Sequence, residues 1–151
     1  MRILTIIGAR PQFIKAAAVS RVIRSHNDIR EIIAHTGQHF DANMSDVFFK
    51  QMDIPRPNHY LKIANLSHGA MTGRMLEGIE ELIQQEKPDW VMVYGDTNST
   101  LASALAAAKS HLPIAHVEQD CAHTTRPCLK KLIGYLQIEF LPYFYVRPRL
   151  Q

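Results

Sequence analysis

The chain has 151 residues, 46% hydrophobic and 21% charged, the balance of one globular domain with an apolar core. Lys+Arg 17 against Asp+Glu 14 gives a net charge of +3, and no basic stripe interleaved with aromatics accompanies it, so no nucleic-acid partner is expected. No apolar run approaches the ~18 residues of a membrane span, so no membrane partner is expected either.

Residues 1–7, MRILTII, are too short an apolar run for a signal peptide and are followed by the charged stretch 8–15. They predict a first strand over 3–7 and a cytoplasmic protein in which Cys121 and Cys128 are free thiols. The strand ends in Gly8-Ala9-Arg10-Pro11-Gln12-Phe13-Ile14-Lys15 and feeds a helix over 13–25, with Phe13, Ala17, Ala18 and Val22 as its apolar positions. Such a turn points backbone N–H groups and the positive helix end at its guest, and Arg10 and Lys15 add fixed cations. An anion is the natural ligand, with a phosphate-bearing molecule the first candidate. The Walker pattern and the G-x-G-x-x-G fingerprint are both absent.

A second strand is predicted over 31–35, then a loop, Thr36-Gly37-Gln38-His39, with Asp41 capping a helix over 42–51. Residues 53–62 hold Pro55 and Pro57 and read as a connecting loop. Ser67 caps a long helix over 68–86, whose apolar face is Met71, Met75, Leu76, Ile79, Leu82 and Ile83. Pro88-Asp89 breaks the chain before a strand over 90–94, and a turn over 95–100 opens an alanine-rich helix over 101–109. The last strand covers 113–118. This alternation predicts an α/β domain, a parallel sheet covered by helices on both faces.

Ligands of such sheets bind beyond the carboxyl ends of the strands. That edge collects Arg10, Gln38, His39, Asp96 and Glu118. Asp96 is either a helix N-cap or a site acid. Glu118, ending an apolar strand, has no capping role and is the stronger candidate. A carboxylate pair at a partly dry edge divides into a general acid and a general base. Gln38-His39 reads either as loop polarity or as part of the site. Inside its strand, His116 reads as a hydrogen-bonded core residue, and Arg74 as a solvated or interface charge. No metal is expected, because His35, His39, His59 and His68 lack a ligand spacing.

The segments GARPQFIK, HTGQHFDANMSDVFF, MTGRMLEGIE, PDWVMVYGDTNSTLASALAA and PIAHVE, in this order over residues 1–118, resemble the non-hydrolysing UDP-N-acetylglucosamine 2-epimerases. The resemblance implies the N-terminal Rossmann-like half of a glycosyltransferase-B arrangement. It implies a UDP-sugar substrate, no cofactor, and a homodimer for the full-length family. The implied reaction converts UDP-GlcNAc to UDP-ManNAc by eliminating UDP and adding it back. By the same resemblance Arg10 and Lys15 contact the ligand, Asp96 and Glu118 are the catalytic acids, and Gln38, His39 and Arg74 belong to an allosteric sugar-nucleotide site. PQFIK and DTNST are more similar to the subgroup acting on UDP-2,3-diacetamido-2,3-dideoxyglucuronate, which leaves the groups on C3 and C6 open.

After Glu118 the family pattern continues AGLR and later PEEINR, whereas this chain reads QDCAHTTRPC over 119–128. Allowed codons for 119–151, shifted by one base, spell text containing AGLR and MPEEINRIL at the expected places. Residues 1–118 are therefore expected to be a partial epimerase domain, and 119–151 a tail read out of frame. A domain ending this way is expected to leave a sheet edge and apolar helix faces uncovered, to be marginally stable, and to lack epimerase activity.

Overall fold

The computed structural model describes residues 1–38 and 55–117, together with the backbone of 139–141. The predicted helix over 42–51, its cap Asp41, and the site candidates His39 and Glu118 lie outside the described residues.

β1 (Arg2–Ile7) is apolar almost throughout and buried on both faces, as the centre of a covered parallel sheet requires. α1 (Arg10–Arg24) follows at once, with Pro11 in its first turn, where a missing N–H costs nothing. β2 (Arg30–His35) pairs with β1 in parallel, and β4 (Trp90–Tyr94) pairs with β1 on its other side. β5 (Ile114–Val117) extends the sheet beyond β4. A two-residue strand, β3 (His59–Tyr60), lies beside β2 within the segment read as loop. Two residues carry too little alternation to be seen in a sequence; backbone pairing, including Asn58 N to Ile33 O at 2.8 Å, holds them.

β6 (Glu139–Leu141) pairs antiparallel with β5 and completes a six-stranded sheet of order β3-β2-β1-β4-β5-β6. The sequence shows no strand pattern there. An edge strand offers its unpaired N–H and C=O groups to any extended backbone, whatever its side chains. The β5 edge expected to stand open is thus paired over residues Ile114 to His116.

α2 (His68–Glu86) starts at Ser67, whose side chain accepts from Ala70 N at 3.4 Å, and ends at Lys87 in the left-handed region, φ 46°, just before Pro88. Met71, Met75, Ile79, Leu82 and Ile83 are buried as their spacing predicts. α2 and α3 (Asn98–Lys109) cover one face of the sheet over Leu4, Ile6, Ile32, Ala34, Val91 and Val93. α1 covers the other face, packing Phe13, Ala16 and Ala17 against Ile7, Ile33 and Tyr94. The apolar face predicted for α1 is corrected here. Ala18 is exposed and Val22 is 61% exposed, while the buried stripe is Gln12, Phe13, Ala16, Ala17, Ser20 and Ile23. Two polar residues in that stripe hid its true direction.

Candidate functional site

β1, β2, β4 and β5 run parallel, so their carboxyl ends share one edge. The chain is drawn tightly together there. A Cβ on Gly8 would overlap the side-chain oxygens of Thr36 and Ser99. Those two hydroxyls hydrogen-bond to each other at 2.8 Å, closing the gap between the end of β2 and the start of α3. Ser99 donates its hydroxyl to Gln38 Oε1 at 2.8 Å, and its backbone N–H to the same oxygen at 3.2 Å. Gln38 thus satisfies an orphan donor in the first turn of α3, a task the helix shares with its own N-cap. That cap is Thr97, whose side chain accepts from Thr100 N at 3.4 Å. Asp96 is therefore not the cap; it sits one residue earlier, exposed, in the turn after β4.

The β1–α1 turn differs from the sequence reading in one chemical respect. The N–H groups of Gly8 and Ala9 do not point at a guest. Both donate to Gln12 Oε1, at 2.7 and 2.9 Å. Gln12 is 2% exposed, and its Nε2 donates across the edge to Tyr94 O at 2.6 Å and Thr97 Oγ1 at 3.0 Å. The cationic contribution of this turn comes from Arg10, which is exposed at the first position of α1. Lys15 lies five positions further on, about 140° around the helix from Arg10, and is half-buried. The two cations do not stand side by side. The structure brings together the Arg10 turn, the Asp96 turn and Gln38. Arg74 is on the exposed face of α2, paired with Glu77 at 3.1 Å.

His35, Tyr94 and His116 are ionisable side chains on the strands beneath. His35, at the end of β2, is fully buried between the rings of Phe13 and Tyr60, with centroids 5.4 and 5.8 Å away. Burial lowers its pKa to about 4, and its Nδ1 accepts from Gly37 N at 2.9 Å, so the proton of the neutral ring is on Nε2. Tyr94 is raised well above the ordinary phenol range by burial and then by the Glu31 carboxylate. It stays a neutral hydroxyl, donating to Met92 Sδ at 3.1 Å. His116 is half-buried and bonded through Nε2 to Gly95 O at 2.7 Å, the structural role its position suggests. Among the described residues, no group of three His, Cys, Asp or Glu could hold a metal ion, and no helix is long and apolar enough to cross a membrane.

Gln12, Thr97 and Ser99 are the site residues that sequence reasoning passed over. Gln12 occupies the third helical position, where a Glu or Gln reaching back to the turn is a known signature. The signal was weak because Ala9, not Ser or Thr, precedes it.

A parallel Rossmann-like sheet, with a cation-bearing turn and an acid-bearing turn joined at its carboxyl edge, defines an α/β domain of the kind that binds ligands beyond its strand ends. A family model described as UDP-N-acetylglucosamine 2-epimerase matches residues 21–121, and the chain belongs to that family. It is 64% identical over 118 residues to the UDP-2,3-diacetamido-2,3-dideoxy-D-glucuronate 2-epimerase of Pseudomonas aeruginosa, covering 78% of this chain and 33% of that protein. It is 43% identical over 118 residues to the UDP-N-acetylglucosamine 2-epimerase of Methanocaldococcus jannaschii, covering 78% and 32%. A crystal structure of the M. jannaschii UDP-GlcNAc 2-epimerase in complex with UDP-GlcNAc and UDP superimposes with a TM-score of 0.74, at 43% identity, over 78% of this chain and 32% of that one. The Neisseria meningitidis UDP-GlcNAc 2-epimerase bound to UDP-GlcNAc gives 0.72 at 32% identity, over 78% and 31%. The chain spans about a third of the length of the curated relatives it matches.

Proposed function

We propose that this chain is the N-terminal part of a UDP-sugar 2-epimerase whose substrate is UDP-2,3-diacetamido-2,3-dideoxyglucuronate. The observation that carries the choice of sugar is the 64% identity to the P. aeruginosa enzyme, against 43% to the M. jannaschii UDP-GlcNAc enzyme over the same number of residues. UDP-GlcNAc is the second reading, favoured by the 58% identity to a Methanococcus maripaludis UDP-N-acetylglucosamine 2-epimerase homolog.

In the proposed reaction a carboxylate removes the proton on C2 while the C1–O bond breaks and UDP departs. UDP then adds back to C1 as a proton is delivered to the opposite face of C2. No electrons leave the sugar, so no redox cofactor takes part. Asp96 and Glu118 are the base and acid, and Arg10 and Lys15 hold the anionic parts of the ligand. The joined turns that carry Arg10 and Asp96 support this assignment: a cation and an acid carried on one tied edge are partly preorganised for charge that develops during elimination.

We further propose that residues 1–118 form the family domain and that 119–151 are translated out of frame. The matches to three relatives each run over 118 residues, 78% of this chain, and support this division. One experiment tests both. Sequence the gene beyond codon 118, express the 151-residue chain and a version with the one-base correction, and follow both UDP-sugars by proton NMR in deuterated water. The corrected protein is expected to exchange the C2 proton and form the epimer, with the diacetamido-uronate preferred, and the 151-residue chain to do neither. Epimerisation by the 151-residue chain refutes the tail assignment; a corrected protein inert to both sugars refutes the function.

A further inference from the structure

The turns that carry Arg10 and Asp96 belong to different strand–helix units, yet one side chain joins them. The acceptor end of Gln12 holds the N–H groups of Gly8 and Ala9, immediately before Arg10. Its donor end holds Tyr94 O and Thr97 Oγ1, on either side of the Gly95-Asp96 pair. A carboxamide does both jobs at once; an ionised carboxylate only accepts, and an ammonium only donates. With Gln12 buried, no water substitutes for either end. The Asp96 turn is gripped from the far side as well. His116 bonds Gly95 O, and Gly95 N donates to Val117 O at 3.1 Å, the residue before Glu118. Gly95 itself has φ +66°, so the turn relies on these contacts to keep a conformation that most residues avoid.

We propose that Gln12 is a positioning residue: its carboxamide bridges the Arg10 turn to the Asp96 turn and fixes the spacing of cation and acid. This rests on reading Arg10 and Asp96 as site residues. It touches no reacting atom in that scheme and acts through the two turns it binds.

Gln12→Glu is the discriminating variant, because shape is kept and only the donor is lost. The ionised carboxylate of that variant still accepts from Gly8 and Ala9 but faces Tyr94 O with a second acceptor. That neighbour favours the protonated acid, so the pKa of the introduced carboxyl rises and the bridge re-forms as pH falls. Wild-type chain, Gln12→Glu and Gln12→Ala are compared at pH 8 and pH 5.5 by amide hydrogen exchange, and by NMR titration with UDP-GlcNAc. Asp96, Arg10, His116 and His68 are ionisable groups on the elements around the bridge, and the wild type carries them through the same pH change as the control.

At pH 8, Gln12→Glu is expected to speed exchange at Gly95 and Asp96 by about tenfold, the loss of one buried hydrogen bond. The amides of central β1 and β2 should be unchanged. Its affinity for UDP-GlcNAc should fall by a similar factor. At pH 5.5 both should return to within about twofold of wild type, while Gln12→Ala stays impaired at both pH values. Wild-type exchange in Gln12→Glu at pH 8, or no recovery at pH 5.5, overturns the proposal. If the wild-type chain does not bind UDP-GlcNAc, the exchange data alone decide the bridge, and the functional reading is decided by the corrected protein.

Discussion

At the scale of single residues, Gly8 is the tightest point of the candidate site. Its backbone is ordinary, so its requirement is space: any Cβ meets the Thr36 and Ser99 oxygens. Gly8→Ala must push those hydroxyls apart, breaking their bond and disturbing the Gln38 contact to Ser99. The expected loss is about 2–4 kcal/mol from overpacking plus unsatisfied polar groups, read by urea denaturation. A loss under about 0.5 kcal/mol, the range of surface substitutions, would mean that the edge has slack. His35 makes a pH prediction. Its folded pKa of about 4 lies below the ordinary 6.5, so the unfolded chain takes the proton first. Stability from a neutral His35 is complete above pH 6.5 and is lost as pH falls toward 4, by roughly 3 kcal/mol in all. NMR titration of the His35 ring should give a midpoint near 4; a midpoint near 6.5 would show that the ring is solvated.

At the scale of elements, α2 offers a clean control. Gly73 lies in its middle with nothing within 4 Å of a built Cβ, so Gly73→Ala adds helix propensity at no steric cost. It should stabilise by about 0.5–1 kcal/mol, measured in the same denaturation series. The opposite signs expected for Gly8→Ala and Gly73→Ala separate a glycine needed for close approach from one that is tolerated. The elements themselves were largely legible. Continuous apolar runs gave β1, β2, β4 and β5, and the Met71-to-Ile83 stripe with Ser67 before it gave α2. Where the pattern misled, a polar residue stood in an apolar place. Gln12 and Ser20 face the sheet, so the α1 stripe was drawn around Ala18 and Val22 instead. The edge was legible as a set of turns, because strand direction puts Arg10 and Asp96 there. Its connections were not, since the Gln12 bridge spans 82 positions to Tyr94, and no local pattern encodes a contact at that distance. Thr97 displaced Asp96 as the α3 cap for a related reason: both are good capping residues, and only the backbone decides between neighbours.

At the scale of the whole molecule, α2 and α3 cover one face of the sheet, and α1 packs on β1, β2 and β4 on the other, among the described residues. On the α1 side, Met92 and Val117 are half-buried, at the margin of what α1 reaches. At the edge, β5 depends on three pairings with β6, which lies in the proposed out-of-frame segment. Cutting the chain after residue 118 removes β6 and leaves the outer backbone groups of β5 unpaired. Exposed strand edges recruit other edges, so the cut chain should self-associate with rising concentration more than the 151-residue chain does. Sedimentation velocity over a hundredfold concentration range reads this directly. The one-base correction makes a different prediction for the same edge. If the restored segment is native family sequence, it should cover β5 with side chains selected to pack there, giving a higher Tm and a smaller concentration dependence than either shorter chain. If the 151-residue chain is instead the more stable and the less associating of the three, then 119–151 are fitted to this sheet, and the out-of-frame assignment is wrong.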